Sequence, residues 1–205
     1  VKGKKIIMQL ALLTLVGMPV IAIIIDRFSE TVDLRQTLLG GAPFWQQVAI
    51  GIALGGVSGI IAQKIIELPF MNKVNSQYAS LLGHFNLNWN EIIFIAMCAG
   101  VGEELLFRGA LQPLMGIILT ALVFVAIHGY LNPRNWRVSV YGIAMTGVII
   151  AIGYSALYFG LISAMIAHMV IDIYLLHKLQ KSAKDLNVPR SELLNELEKM
   201  DQEET

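Results

Sequence analysis

The chain has 205 residues, of which 56% are hydrophobic and only 15% charged, with a formal net charge of zero. A soluble domain carries closer to a quarter charged residues, and here the apolar residues gather into long runs, so the composition points to an integral membrane protein. The single cysteine, Cys98, excludes an internal disulfide and any zinc site built on paired cysteines; it reads as a small buried apolar residue.

A helix that crosses a bilayer needs about 20 mostly apolar residues. The first such run, Ile6 to Ile25, follows Lys2, Lys4 and Lys5. It is longer than the ~7–15-residue apolar core of a signal peptide and has no small-residue cleavage site before Asp26, so it reads as a retained transmembrane helix over Lys5–Ile25. Further spans are expected at Phe44–Ile66, at Glu91–Phe107 with its continuation, and at Leu114–Leu131, Val138–Tyr154 and Ser155–Leu179. The expected fold is all-α, a polytopic membrane helix bundle of about six transmembrane helices. The polar connection Glu67–Asn90 is a loop or one extra interfacial helix. In the second span Gly51, Gly55 and Gly59 recur every four residues, a spacing that lets two helices approach closely.

The domain reading is one bundle over residues 1–180, with its chemistry in 91–179, and a charged cytoplasmic tail over 181–205. Within that tail the leucines of Ser191–Leu197 have helical spacing and suggest a short surface helix. Lysines and arginines alternate with the other loops: Lys2, Lys4 and Lys5, then Lys64 and Lys73, then Arg134 and Arg137, then Lys178, Lys181 and Lys184. By the positive-inside rule both termini are expected in the cytoplasm, with Trp45, Trp89 and Trp136 near the membrane interfaces. No internal repeat, Gly-rich phosphate loop or basic-aromatic face is present, so nothing points to nucleic acid. The expected surroundings are membrane lipids. The sequence leaves the oligomeric state open.

One stretch stands apart. Glu103, Glu104 and Arg108 lie within seven residues of an otherwise apolar segment. A charge at the bilayer centre costs about 2.5–3.5 kcal/mol on insertion scales, so such residues face the bundle interior and usually act there. Glu104 and Arg108 are four apart, on one helical face, and can pair. Glu103 projects about 100° away and has no partner at helical spacing. It is a candidate general base. His128 ends the fourth span, and His168 and Asp172 share a face of the sixth. At about 1.5 Å per residue, Glu103 lies ~18 Å into its span and His168 ~15 Å from the cytoplasmic end of its own, so the two meet at one depth. His128 comes out shallower on this count. His84 and His177 read as interfacial.

A carboxylate and two imidazoles converging from three helices suit water activation. The bland alternative is that Glu104–Arg108 is a structural clasp and the histidines are satisfied core groups.

In this order, Glu103-Glu104-x-x-x-Arg108, Phe124-x-x-x-His128 and His168-x-x-x-Asp172 resemble the three motifs of the CPBP family of intramembrane proteases, also called the Abi family. That family includes the CaaX-processing Rce1-type enzymes and bacteriocin-immunity relatives. The resemblance covers about Glu91 to Leu179. It implies an integral protein of a prokaryotic cell membrane, and hydrolysis of a peptide bond in a membrane-anchored protein or peptide. It also implies that Glu103 and His128 activate water, that His168 and Asp172 stabilise the oxyanion, and that Glu104 and Arg108 support the site. An ionised aspartate cannot donate to an oxyanion. Asp172 is therefore either protonated or, as we favour, orients the His168 imidazole. No cofactor is required on this account, although Glu103, His128 and His168 could instead form a two-histidine, one-carboxylate zinc set.

Two other function classes fit the residues. One is a non-catalytic immunity or signalling partner that keeps the motifs as structure. The other is a proton-coupled transporter, since intramembrane acids and histidines suit a proton relay; the lack of an inverted repeat counts against it.

Overall fold

A computed structural model describes residues 2–76 and 85–185, and among them every regular element is helical. In chain order these are α1 (Lys2–Phe28), α2 (Leu34–Leu39), α3 (Phe44–Ile66), a 3₁₀ turn at Pro69–Met71 followed by helical residues 72–76, α4 (Trp89–Glu104), a π-helical stretch at Leu105–Leu111, α5 (Gln112–Ile127), α6 (Trp136–Phe159) and α7 (Leu161–Asp185). The expected surface helix at 191–197 lies outside the described residues, as does His84.

Five stretches are long and apolar enough to cross a membrane. The protein is a polytopic helical membrane bundle. Its outer faces carry Leu13, Ile23, Val57, Ile118, Ile143 and Leu157, each more than half exposed. That surface suits lipid, where the helical backbone satisfies its own polar groups.

The third of the five stretches, Trp89–Ile127, has 39 residues. At about 1.5 Å per residue a straight helix of that length would run ~58 Å, nearly twice the hydrocarbon core. It does not run straight. Gly116 has φ 77° and ψ 168°, a conformation closed to other residues. The chain doubles back there: the Phe107 and Phe124 rings lie 4.9 Å apart, and Glu103 and His128 come within 3.4 Å. Both pairs are symmetric about the Met115–Gly116 bond. The expected third and fourth spans are thus the two arms of one helical hairpin. The return arm, 117–127, is only about 16 Å long, so the expected Leu114–Leu131 is not a full crossing.

The helix directions follow from named contacts. Lys4 Nζ pairs with Glu91 at 2.7 Å, so α1 and α4 start on the same face. Glu91 also completes a capping box with Asn88, fixing the start of α4. Arg108 bonds the Ile149 carbonyl and Gln112 the Gly153 carbonyl, so α6 runs parallel to α4. Trp89 stacks on His177 while Glu104 meets His168, so α7 runs antiparallel to α4.

The three glycines of α3 pack on α7. A Cβ at Gly51 would lie 2.6 Å from the Ile166 Cβ, and one at Gly55 would lie 2.5 Å from the Ala167 carbonyl oxygen. Next to Gly59 stands Tyr174, whose hydroxyl donates to Gln63 one turn further along α3. The close approach is what the four-residue spacing implied.

Two expected boundaries move. The break between the last two spans is at Gly160, with φ 113°, and not at Ser155. Ser155 stays inside α6 because its hydroxyl donates back to the Ile152 carbonyl, so its polarity does not mark a turn. The last helix continues unbroken past residue 180 to Asp185, and the expected first loop contains α2, capped by Asp33. Trp45, Trp89 and Trp136 all sit in the first turn of their helices and are more than half exposed.

Candidate active site

The site forms where α4 passes into the π-helical stretch. There the Gln112 N–H bonds the Phe107 carbonyl five residues back. Such π turns recur at functional sites. Glu104 is fully buried and Arg108 is 3% exposed. Arg108 Nη1 donates to Glu104 Oε1 at 3.0 Å, and Nη2 donates to the Ile149 carbonyl at 3.3 Å. A buried guanidinium without such partners would be costly; here one carboxylate, one carbonyl and the Phe124 ring, 5.0 Å from Cζ, surround it.

Glu104 does more than hold Arg108. Its Oε1 also lies 2.7 Å from His168 Nδ1. A carboxylate accepts and does not donate, so Nδ1 carries the proton and Nε2 faces the other way. Asp172 Oδ2 stands 3.7 Å from that Nε2, beyond hydrogen-bond reach. The carboxylate that holds the His168 ring is therefore Glu104, whereas spacing alone suggested Asp172. A contact between residues 64 apart leaves no trace in local spacing.

Glu103, one residue earlier, lines a small cavity between the helices. Its Oε2 is buried and has no hydrogen-bond partner among the described residues. His128 Nε2 stands 3.4 Å from it. His128 Nδ1 lies 2.7 Å from the Phe124 carbonyl oxygen. A carbonyl only accepts, so this nitrogen is N–H, and Nε2 is left toward Glu103. The depth mismatch for His128 disappears because the return arm of the hairpin is short and ends level with Glu103.

Phe124 organises both imidazoles. Its ring stacks on His128 at 4.2 Å and meets His168 edge-on at 5.8 Å. A cavity of about 150 Å³ opens between them, lined by Glu103, His128, His168 and Asp172 together with apolar side chains. The structure thus brings Glu103, His128, His168 and Asp172 to one cavity and places Glu104 and Arg108 behind it. Sequence reasoning missed Tyr130 and Tyr141, which also line the cavity; nothing in their local spacing marks them.

Among the described residues no group of three His, Cys, Asp or Glu is arranged to hold a metal ion. Glu103 and His128 stand 3.4 Å apart, and His168, its Nδ1 held by Glu104, reaches the same cavity.

Residues 84–174 match the family model described as type II CAAX prenyl endopeptidase Rce1-like. No curated protein and no solved structure matches the chain significantly. The matched segment, a little less than half the chain, contains every site side chain named above; α1 and α3 lie outside it. The match supports a CAAX-type intramembrane protease embedded in a membrane and acting on a membrane-associated peptide. Over this motif-bearing segment, the chain is similar to the Rce1-like proteins.

Proposed function

We propose that the protein is an intramembrane endopeptidase that hydrolyses a peptide bond of a membrane-associated protein or peptide with water activated by Glu103. The observation that carries this reading is the pairing of Glu103 Oε2 with His128 Nε2 at 3.4 Å on the wall of a cavity that also displays His168. Glu104, by contrast, lies behind the cavity and is engaged by Arg108 and His168.

The steps balance without a cofactor. Glu103 takes a proton from a water held between its carboxylate and His128, and the water oxygen attacks the scissile carbonyl carbon. The carbonyl electrons move to oxygen. His168, held from behind by Glu104, donates from Nε2 to that oxyanion, and so carries protons on both nitrogens at this stage. Asp172, facing the same nitrogen, balances the imidazolium. The intermediate then collapses, the C–N bond breaks, and the proton on Glu103 passes to the leaving amine. One water is consumed, and a carboxylic acid and an amine are formed. Glu104 and Arg108 are positioning residues, since they touch no reacting atom.

The orientation that suits this reading puts the faces bearing Lys4, Lys64, Arg134, Arg137 and Lys178 in the cytoplasm. The test is Glu103→Gln, which keeps shape and removes the base. Cleavage of a membrane-tethered reporter should fall by about 10²–10⁴-fold while the melting temperature holds. Full activity in a folded Glu103→Gln protein would end the proposal.

A further inference from the structure

Two cavities meet at the site, and they differ in size. The smaller, about 150 Å³, holds Glu103, His128 and His168. The larger, about 410 Å³, extends along α7 toward Lys178 and is walled by Ile66, Val74, Ile95 and Leu176 among others. Sites for organic ligands generally have about 300–1,000 Å³. The larger chamber is in that range and the smaller is well below it. The reacting bond and the bulk of a bound molecule therefore occupy different chambers.

The two chambers share Tyr130, Tyr141, Asp172 and Leu175. The aromatic part of this shared wall is held firmly. The Tyr130 and Tyr141 rings meet edge-to-face at 5.4 Å, and Tyr130 lies parallel to the His128 ring at 6.0 Å. Gly129, with φ 73°, turns the chain so that the Tyr130 N–H bonds the Val125 carbonyl. The Tyr130 carbonyl packs on Gly142, where a Cβ would come within 2.3 Å of its oxygen. Tyr141 itself is 7% exposed. A fixed aromatic pair between a large and a small chamber limits what can pass.

We propose that the larger chamber is a specificity subsite for an apolar stretch of the substrate polypeptide, and that Tyr130 with Tyr141 forms a neck limiting the size of the side chain next to the scissile bond. The neck's role and the occupant's identity rest on the protease reading; that the larger chamber binds a ligand does not. The occupant is polypeptide because it must extend from the chamber through the neck to Glu103. Asn75 and Ser182 in the lining also offer partners to backbone amides, for which a lipid tail has no use.

Two measurements on the full chain in detergent test this. The first is the cleavage-site profile of a proteome-derived peptide library with wild type, Tyr141→Leu and Tyr141→Phe. Wild type and Tyr141→Phe should exclude bulky residues at one position beside the cut. Tyr141→Leu should admit them about tenfold better, with cleavage beside small residues within twofold. An unchanged profile in folded, active Tyr141→Leu overturns the neck. The second replaces Leu176 by a photoreactive phenylalanine analogue in the Glu103→Gln background. Illumination with the same library should yield peptide adducts at that position. Lipid adducts alone, or none, overturn the subsite whether or not cleavage occurs. Peptide adducts without any cleavage by wild type would leave the subsite standing and remove the protease reading.

Discussion

Glu104 Oε1 stands 2.7 Å from His168 Nδ1 and, at the same time, 3.0 Å from Arg108 Nη1. One oxygen thus joins the π-helical turn after α4 to the middle of α7. Removing one partner of a buried ion pair leaves an uncompensated charge and costs about 3–5 kcal/mol, whereas replacing both by apolar groups is often neutral. Glu104→Met and Arg108→Met should each lower stability in detergent by about that amount. The double variant should recover most of it. Cleavage should stay impaired in the double variant, because His168 has lost its holder. Thermal unfolding and reporter cleavage, measured on the same preparations, read the two effects separately.

His128 has a different role in the proposal. Its Nδ1 is committed to the Phe124 carbonyl and its Nε2 to Glu103, and it borders a cavity. His128→Gln should lower kcat by about 10²–10⁴-fold with little change in melting temperature. Equal loss of stability and activity would return His128 to a structural role.

Gly116 offers a test of the hairpin. A Cβ there meets nothing within 4 Å, so substitution is opposed by the backbone conformation alone. Gly116→Ala should destabilise by about 1–3 kcal/mol. Gly56 also has open space around it but lies within the regular helix α3. Gly56→Ala should be neutral, or stabilising by up to about 1 kcal/mol. Similar melting temperatures for the two variants would argue against the reversal at Gly116.

The proposed chemistry uses no metal. Dialysis of the purified protein against a chelator should leave reporter cleavage unchanged. Loss of cleavage, restored by zinc and by no other addition, would transfer water activation to a metal.

Much of this was legible in the sequence because lipid makes charge conspicuous. Glu103, Glu104 and Arg108 stood out in an apolar run, and the i,i+4 spacing of Glu104 and Arg108 predicted a contact that the structure contains. The glycines of α3 announced a close helix contact in the same way. What stayed hidden depends on tertiary placement. The shared oxygen of Glu104 required α7 to dock, and Tyr130 and Tyr141 reach the cavity through a loop turned by Gly129. The hairpin was hidden for another reason. Two apolar arms joined at a single glycine have the hydropathy of continuous spans, so pattern alone gave the return arm the length of a crossing.

The hairpin has a consequence for assembly. Glu103 and His128 are brought together within 26 consecutive residues, so the proposed base and its partner form as soon as that local fold closes. Their counterpart His168 belongs to α7, the last of the described helices to be synthesised. On this architecture the protein is chemically incomplete through most of its own insertion. On the proposed chemistry, the cut becomes possible only when α7 brings its imidazole against Glu104.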